Sequence, residues 1–278
     1  MSLESQVKLP VIDFSEENLK PGSSAWASAC TDVRRALEEC GCFEAKFKKM
    51  PRQVHDAAFA GAEELFGLPT EVKMRNTNDK HGFHYLGQLK SMPLYESLAV
   101  ENPTSSDATA NFIWMNISES VQSYSELVAE LDQTVARMLF ESYGVGYYYD
   151  YYSKNTSYLL RYFGYREPMP DQTNTGTLPH TDKSFFSIIH QGDISGLMVK
   201  VKDGRWVDVP ASPTSFVVMA GDALMGWSND RISPCYHQVI MKEKARRYSL
   251  EMFSFIHGTI HILEELVDEI HPHQIQVL

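Results

Sequence analysis

The sequence contains few cysteines and no long apolar run. Only four of the 278 residues are cysteines: Cys30, Cys40, Cys42 and Cys235. Cys40 and Cys42 are too close for an ordinary disulfide framework, and no second pair stands at zinc-site spacing. We therefore expect four free thiols in a reducing compartment. No stretch of about 20 apolar residues and no apolar leader is present, so we predict a cytoplasmic protein without a membrane segment.

Positive charge is also scarce. The chain has 25 Lys and Arg against 36 Asp and Glu, a net charge of −11. Nucleic-acid binding needs a basic surface, so this class of function is excluded. Hydrophobic residues make up 43% and aromatic residues 12% of the chain, enough for a sizeable core. The length fits one large or two closely packed domains, and a monomer is the default expectation.

The first half of the chain is predicted to be mainly helical. Apolar residues recur at helical spacing from Trp26 to Glu39, from Gln53 to Leu65 and from Ser123 to Tyr143. Ser123 and Glu126 form a capping-box pattern, which predicts that the third and longest helix begins at Ser123. Between residues 71 and 118, Gly and Pro interrupt any period, and we expect irregular structure.

From Asn155 onward the hydrophobic period is two. This alternation predicts six strands: Ser157 to Tyr165, Ser184 to His190, Gly196 to Lys202, Trp206 to Val209, Ser215 to Met219 and Tyr248 to Phe255. Many short strands after a helical half predict an α+β protein with a jelly-roll core, a double-stranded β-helix. The long helix is expected to support one sheet. We divide the chain into an N-terminal region, residues 1–122, and a catalytic domain, residues 123–278.

Two imidazoles and one carboxylate stand out in the second half. His180, Asp182 and His237, here the His–Asp–His triad, form a ligand set that leaves open positions on a redox metal. Such a set is typical of non-haem Fe(II) oxygenases. On one extended strand, His180 and Asp182 would point to the same side. The alternative is ordinary surface or core histidines.

A second pattern follows ten residues after His237. Arg247 and Ser249 are two apart, so on a strand both side chains face the same interior. An Arg fork beside a hydroxyl suits one carboxylate of a dicarboxylic acid. A metal triad followed by such a clamp is much more specific than either part.

With these residues the chain resembles the plant soluble family of 2-oxoglutarate- and Fe(II)-dependent dioxygenases. Further matching motifs span nearly the whole chain: Leu9–Phe14, Glu39–Phe43, Leu65–Pro69, Gly221–Asp222 and Trp227–Asn229. The branch is similar to the one with deoxypodophyllotoxin synthase and the glucosinolate side-chain-modifying dioxygenases. The segments typical of that branch are Leu19–Gly22, Ala36–Glu39, Phe43–Ala45, Lys202–Trp206 and Glu265–Asp268.

The resemblance implies a complete set of cofactor contacts. Fe(II) would bind the His–Asp–His triad, and Arg247 and Ser249 would hold the distal carboxylate of 2-oxoglutarate. Tyr165 matches the Tyr of a family motif that also contacts 2-oxoglutarate, whereas Phe163 stands where that motif has Asn. Ascorbate is implied as an activator, and no further catalytic residue is implied. The expected reaction with dioxygen is hydroxylation, O-demethylation, desaturation or ring closure of a small plant specialised metabolite.

Several residues are candidates for substrate contact. Arg161 has the parity of Phe163 and Tyr165 and is expected to point into the barrel, where it binds an acidic or phenolic substrate or pairs with a structural acid. Four aromatic residues suit a flat apolar substrate, the alternative being ordinary core packing. They are Phe83, Trp114, Phe185 and Phe255.

Three other functions compete with this prediction. A non-catalytic homologue is one, because Phe163 replaces the motif Asn and the sequence stops soon after Pro272, where the family continues. A related Fe(II) oxidase that does not use 2-oxoglutarate is the second. The third is a barrel that binds small molecules without metal.

Overall fold

The computed structural model describes residues 8–15, 19–80, 82–105 and 118–273. The helices are α1 (Ser24–Cys40), α2 (Arg52–Gly67), α3 (Thr70–Lys73), α4 (Ser118–Ser142), α5 (Tyr148–Asn155) and α6 (Asp222–Trp227). The strands are β1 (Val11–Asp13), β2 (Cys42–Lys46), β3 (Leu86–Leu89), β4 (Met92–Glu101), β5 (Thr156–Tyr165), β6 (Thr175–His180), β7 (Phe186–Gln191), β8 (Leu197–Lys200), β9 (Trp206–Asp208), β10 (Ser215–Ala220), β11 (Tyr236–Ile240) and β12 (Arg247–Ile256).

The strands form two sheets. The large sheet has the order β1-β2-β10-β7-β12-β5-β4-β3, and the small sheet has the order β6-β11-β8-β9. A cavity lies between them, with residues of both sheets in its wall. The predicted α+β architecture with a jelly-roll core is confirmed.

Alternation along the central strands of the large sheet separates the cavity from the core. On β12, Ser249 and Glu251 line the cavity, whereas Leu250 and Met252 belong to the main hydrophobic core. The helices α2 and α4 pack on this core side, against β12 among other strands. The prediction that the long helix supports a sheet is therefore confirmed.

Local signals explain where α1 begins and ends. The Ser23 hydroxyl accepts a hydrogen bond from the Trp26 backbone at 3.1 Å, which satisfies one free N–H of the first turn. At the other end Gly41 has φ of 69°, and its N–H donates to the Leu37 carbonyl at 2.9 Å. A residue in this left-handed conformation ends many helices, and glycine adopts it without strain.

Two local predictions are wrong. The long helix α4 already extends from Ser118, so the capping-box pattern at Ser123 and Glu126 lies inside it. The segment expected to be irregular contains β3 and the ten-residue strand β4, which pairs with β5 over seven residues from Tyr95 to Glu101. Pro93 is tolerated because it is the second residue of the strand, ahead of these pairs.

The N-terminal region contributes more than helices. Its strands β1 to β4 join the large sheet at both edges, beside β10 and β5 of the second half. All four cysteines are free, as expected. Within the described ranges, no helix is long and apolar enough to cross a membrane.

Candidate active site

The cavity between the sheets has a volume of about 340 Å³. The strands β5, β7 and β12 form one wall, and β6, β8 and β11 form the other. The wall contains all three residues of the His–Asp–His triad together with Arg247, Ser249 and Tyr165. The structure thus brings the predicted metal and co-substrate residues into one place.

The triad meets at the junction of β6 and β11. His180 and His237 are direct partners of these antiparallel strands, and their ring centroids are 4.3 Å apart. Asp182 has oxygens 3.6 Å from His180 Nε2 and 3.9 Å from His237 Nε2. Strand β6 ends at His180, so Asp182 belongs to the following turn and not to the extended strand that we predicted.

The backbone fixes the orientation of both imidazoles. His180 Nδ1 lies 2.8 Å from the Leu178 carbonyl, and His237 Nδ1 lies 3.1 Å from the Cys235 carbonyl. A carbonyl only accepts, so each Nδ1 carries the proton and each Nε2 has a free lone pair. Two lone pairs and a carboxylate then converge, with ligand atoms within 4.8 Å of one another. Such a donor set fits a divalent metal ion.

Asp182 is itself held in place. Its Oδ2 accepts a 2.6 Å hydrogen bond from Ser187 Oγ, and its backbone carbonyl accepts a 2.7 Å hydrogen bond from the Asp222 N–H. A Cβ atom on Gly221 would lie 2.0 Å from the Ser184 carbonyl oxygen. Only glycine therefore allows the start of α6 to lie this close to the turn that bears Asp182.

Arg247 is fully enclosed beside the triad. It is 1% exposed, and its guanidinium group lies over the Tyr165 ring, 5.0 Å from the centroid. It donates to Ser249 Oγ at 3.1 Å and to Gln191 Oε1 at 2.9 Å, whereas Nε has no hydrogen-bond partner within the described ranges. Burial lowers the pKa of Arg247 from its ordinary value.

A buried guanidinium group needs an anion. Among the described residues, no carboxylate oxygen lies within 4.0 Å of the Arg247 nitrogens. An unpaired buried charge is strongly unfavourable, and a carboxylate is the planar anion that matches the Arg fork. A dicarboxylate ligand that extends from the triad to Arg247 therefore fits this end of the cavity.

Two family models match the sequence. The model described as the 2OG-Fe(II) oxygenase superfamily matches residues 154–256, which include the triad and Arg247. The model described as the N-terminal region of non-haem dioxygenase in morphine synthesis matches residues 9–110.

Relatives extend the match over nearly the whole chain. The probable 2-oxoglutarate-dependent dioxygenase AOP1 of Arabidopsis thaliana is 41% identical over 279 residues, covering 95% of this chain and 91% of the relative. The chain belongs to the 2-oxoglutarate- and Fe(II)-dependent oxygenases. Another relative, the probable inactive dioxygenase AOP2 of the same plant, is 32% identical and covers 96% of this chain and 90% of its own length.

The fold of this dioxygenase matches solved structures of the family. The dioxygenase for auxin oxidation 1 from Arabidopsis thaliana, in its complex with 2-oxoglutarate, has a TM-score of 0.84 and 26% identity. That match covers 96% of this chain and 100% of the solved one. The cofactor of the dioxygenase is Fe(II), and its co-substrates are 2-oxoglutarate and dioxygen.

Tyr165 and Phe163 both line the cavity of the dioxygenase. Tyr165 pairs with Arg247 across β5 and β12, and Phe163 pairs with Ser249. Phe163 contacts Tyr95 and the Arg161 guanidinium group, with centroid distances of 5.9 and 5.8 Å. The position of the motif Asn is thus an apolar part of the wall.

Glu251 is a cavity residue that we did not predict. It is 7% exposed, and its Oε1 has no hydrogen-bond partner in the part of the chain that the structure describes. Burial and, next, the charge of Asp182 raise the pKa of Glu251 well above its ordinary value. The sequence carried a signal for it, because Glu251 has the parity of Arg247 and Ser249. Gln191 had no such signal, since only the register of β7 and β12 places it beside Ser249.

Arg161 points into the barrel as expected, but its partners are mostly backbone groups. Its Nη1 donates to the Gly82 carbonyl at 2.7 Å, and its Nη2 donates to the His84 carbonyl at 3.4 Å and to Ser97 Oγ. No carboxylate of the described residues lies within 4.0 Å of it. Arg161 therefore holds the loop that carries Phe83.

Of the four aromatic residues predicted to contact the substrate, two line the cavity. Phe83 and Phe255 line the cavity, with ring centroids 5.9 Å apart. Phe185 does not line it: its side chain is fully buried in the aromatic core, 5.2 Å from Tyr152 between centroids, because it precedes β7 on the helix side. The substrate contact predicted for Phe185 is therefore not supported. Trp114 lies outside the described residues.

Proposed function

We propose that this dioxygenase binds Fe(II) through His180, Asp182 and His237 and 2-oxoglutarate through Arg247 and Ser249, with Tyr165 against the co-substrate. One observation carries the proposal. A buried guanidinium group that has no acidic partner among the described residues faces the same cavity as two imidazole lone pairs and a carboxylate. Each half of the site needs a ligand of opposite charge, and Fe(II) with 2-oxoglutarate satisfies both.

The side chains and backbone of the protein orient the metal ligands and the group that binds 2-oxoglutarate. Fe(II), 2-oxoglutarate and dioxygen together supply the oxidising chemistry, which the side chains do not provide. The Leu178 and Cys235 carbonyls hold the two imidazoles, and Ser187 holds Asp182. Gln191 fixes the Arg247 fork before a ligand arrives, which lowers the entropy lost on binding.

We further propose that the substrate is a small, largely apolar plant specialised metabolite, oxidised at a C–H bond. The cavity wall also includes Leu159, Phe253 and Phe255, and the Phe83 ring lies against Phe255. Such a wall binds flat apolar molecules and excludes water near the reacting atoms. The auxin-oxidising plant dioxygenase, which shares this fold, acts on a small metabolite by its name.

The test is an anaerobic titration of metal-free protein with Fe(II) and then 2-oxoglutarate. We expect a weak visible charge-transfer band to appear after both additions, because the band arises only when 2-oxoglutarate binds to the Fe(II) in the site. Arg247→Ala should abolish the band at moderate 2-oxoglutarate concentration. A lost charge-assisted pair of hydrogen bonds corresponds to about 3 kcal/mol or more, roughly a hundredfold or larger rise in Kd.

Matched variants separate the alternatives. Arg166→Ala removes a neighbouring guanidinium group that binds the Pro93 carbonyl outside the cavity, and it should leave the band unchanged. Fe(II) binding without a band in the unmodified protein would instead support the oxidase that does not use 2-oxoglutarate. A band without succinate formation from any organic substrate would support a non-catalytic homologue. Unchanged Fe(II) binding in His180→Ala would contradict the proposal that the His–Asp–His triad binds the metal.

Three broader features are proposed as well. We place the dioxygenase in the cytoplasm, because its four thiols are free. We expect a monomer, tested by light scattering, and activation by ascorbate, tested by turnover with and without it. The division into residues 1–122 and 123–278 falls within α4, and limited proteolysis tests it.

A further inference from the structure

Glu251 is a buried carboxyl group that neither the triad nor the 2-oxoglutarate clamp uses. It lies at the centre of β12, between its register partners Arg161 on β5 and Ile189 on β7. The residue is only 7% exposed and lines the cavity, and its carboxyl group interacts with the Asp182 carboxyl group. Among the described residues, its oxygen Oε1 has no hydrogen-bond partner. Leaving this oxygen without a hydrogen bond is unfavourable, and a polar group of a ligand in the cavity could supply one.

The neighbours of Glu251 restrict the charge of that ligand. Asp182 lies close by, so an anionic group next to Glu251 would meet two acids. Arg161 and Arg247 lie in the same wall, so a cationic amine would meet two guanidinium groups. Arg161 Nε is also buried and has no hydrogen-bond partner among the residues that the structure describes. A neutral group that both donates and accepts hydrogen bonds is favoured by this arrangement.

A hydroxyl group has these properties. It donates to an ionised Glu251 and accepts from a protonated one, and it has a second site for an N–H donor such as Arg161 Nε. The remaining wall near Glu251 is apolar, with Phe253 and Phe255 on the same strand. The ligand therefore combines an apolar body with one hydroxyl group directed at β12.

We propose that Glu251 is a specificity-determining residue whose carboxyl group binds a neutral hydroxyl group of an otherwise apolar substrate. The inference rests on the proposed function for the position of the substrate beside the triad. It names the substrate class as alcohols or phenols, and it predicts that the oxidised C–H bond lies near that hydroxyl group, because Glu251 lies near Asp182.

The experiment compares two probes that differ only by the hydroxyl group, 2-naphthol and naphthalene. Their Kd values are measured by anaerobic equilibrium dialysis with fluorescence detection, on protein with and without Fe(II) and 2-oxoglutarate. We expect 2-naphthol to bind about 3- to 100-fold more tightly, the range for a hydrogen bond to a protonated or an ionised carboxyl group. Glu251→Leu should remove this preference, and Glu251→Gln, which keeps a polar group there, should retain most of it.

Phe253→Leu is the matched control, because it alters the same strand and the same wall. It should weaken both probes alike and leave their ratio unchanged. Binding of neither probe, equal binding of both, or a preference that persists in Glu251→Leu would overturn the proposal. If Glu251→Leu loses the Fe(II)–2-oxoglutarate band but keeps the hydroxyl preference, Glu251 acts on Asp182 and the proposal is also wrong.

The experiments distinguish failure of the proposed cofactor site from failure of the proposed role of Glu251. Absence of the visible band in the unmodified protein refutes the cofactor site, whereas dialysis with the unloaded protein still measures the hydroxyl preference. Thermal unfolding of each variant shows whether it folds, and Glu251→Gln keeps the test valid if Glu251→Leu does not.

Discussion

His190 provides a quantitative prediction about stability and pH. It lies on the helix-facing side of β7, fully buried, with ring centroids 4.1 Å from Phe216 and 5.3 Å from Phe59. The titratable groups that face it from the packed helices are His55 on α2 and Tyr124 on α4. Burial, followed by the charge of His55, lowers the pKa of His190 from 6.5 to about 3.

The sign of the effect follows from this shift. The unfolded chain takes up a proton on His190 near pH 6.5, whereas the folded chain does so only near pH 3. The stabilisation is therefore complete above pH 6.5 and is lost as the pH falls from 6.5 toward 3. At 1.36 kcal/mol per pKa unit, the loss is about 2 kcal/mol by pH 5 and about 4 kcal/mol by pH 3.

Urea unfolding at pH 8, 6 and 5 measures the effect in the wild type and in His190→Phe. The variant keeps an aromatic ring between Phe59 and Phe216 but cannot be protonated. Loss of the hydrogen bond to Tyr124 lowers its stability by a constant amount at every pH. The wild type should lose about 2 kcal/mol more than the variant between pH 8 and pH 5.

Equal pH dependence in the two proteins would refute this reasoning, because the burial of His190 would then have no effect on its titration. His261→Gln is the control, since His261 is exposed in the folded chain and its removal should leave the difference unchanged.

Three further predictions concern the site. Gly221→Ala should weaken Fe(II) binding and lower stability by about 1–3 kcal/mol, because its Cβ would displace the Ser184 carbonyl next to Asp182; anaerobic titration and urea unfolding test this. Arg161→Ala should lower stability by about 1–3 kcal/mol and increase hydrogen exchange in residues 82–84, because the Gly82 and His84 carbonyls lose their donor. Fe(II) at a hundred times its Kd should stabilise the wild type by about 2.7 kcal/mol, and Asp182→Ala should lose this gain in thermal unfolding.

Controls accompany these predictions. Gly67→Ala places a Cβ where no atom lies within 4 Å, so it should not affect Fe(II) binding. Unchanged exchange in the Phe83 loop of Arg161→Ala would show that the hydrogen bonds of Arg161 do not hold this loop. Equal stabilisation of Asp182→Ala by Fe(II) would mean that the metal binds elsewhere.

The sequence by itself determined the parts that depend on local periodicity and chemistry. Period two predicted strands such as β5 and β12, because their alternate residues face the cavity on one side and the main hydrophobic core on the other. His180, Asp182 and His237 were chosen as candidate metal ligands because two imidazoles and a carboxylate are residue types that bind a redox metal. The parity of Arg247 and Ser249 placed both side chains on one face, as the structure has them.

Tertiary structure decided what local patterns cannot encode. Strand β4 contains Pro93, and it is ordered because it pairs with β5, a partner more than 50 residues away. Phe185 lies in the core because the chain turns before β7. Gln191 reaches Arg247 through the register of two strands that are distant in sequence.

Long-range strand pairing also determines which residues line the cavity. Its charge pattern arises where β5, β7 and β12 meet, and Glu251 becomes a recognition group only because Asp182 and Arg161 arrive there on other segments. Spacing along the chain specifies which way a side chain points, but long-range strand pairing specifies what it meets.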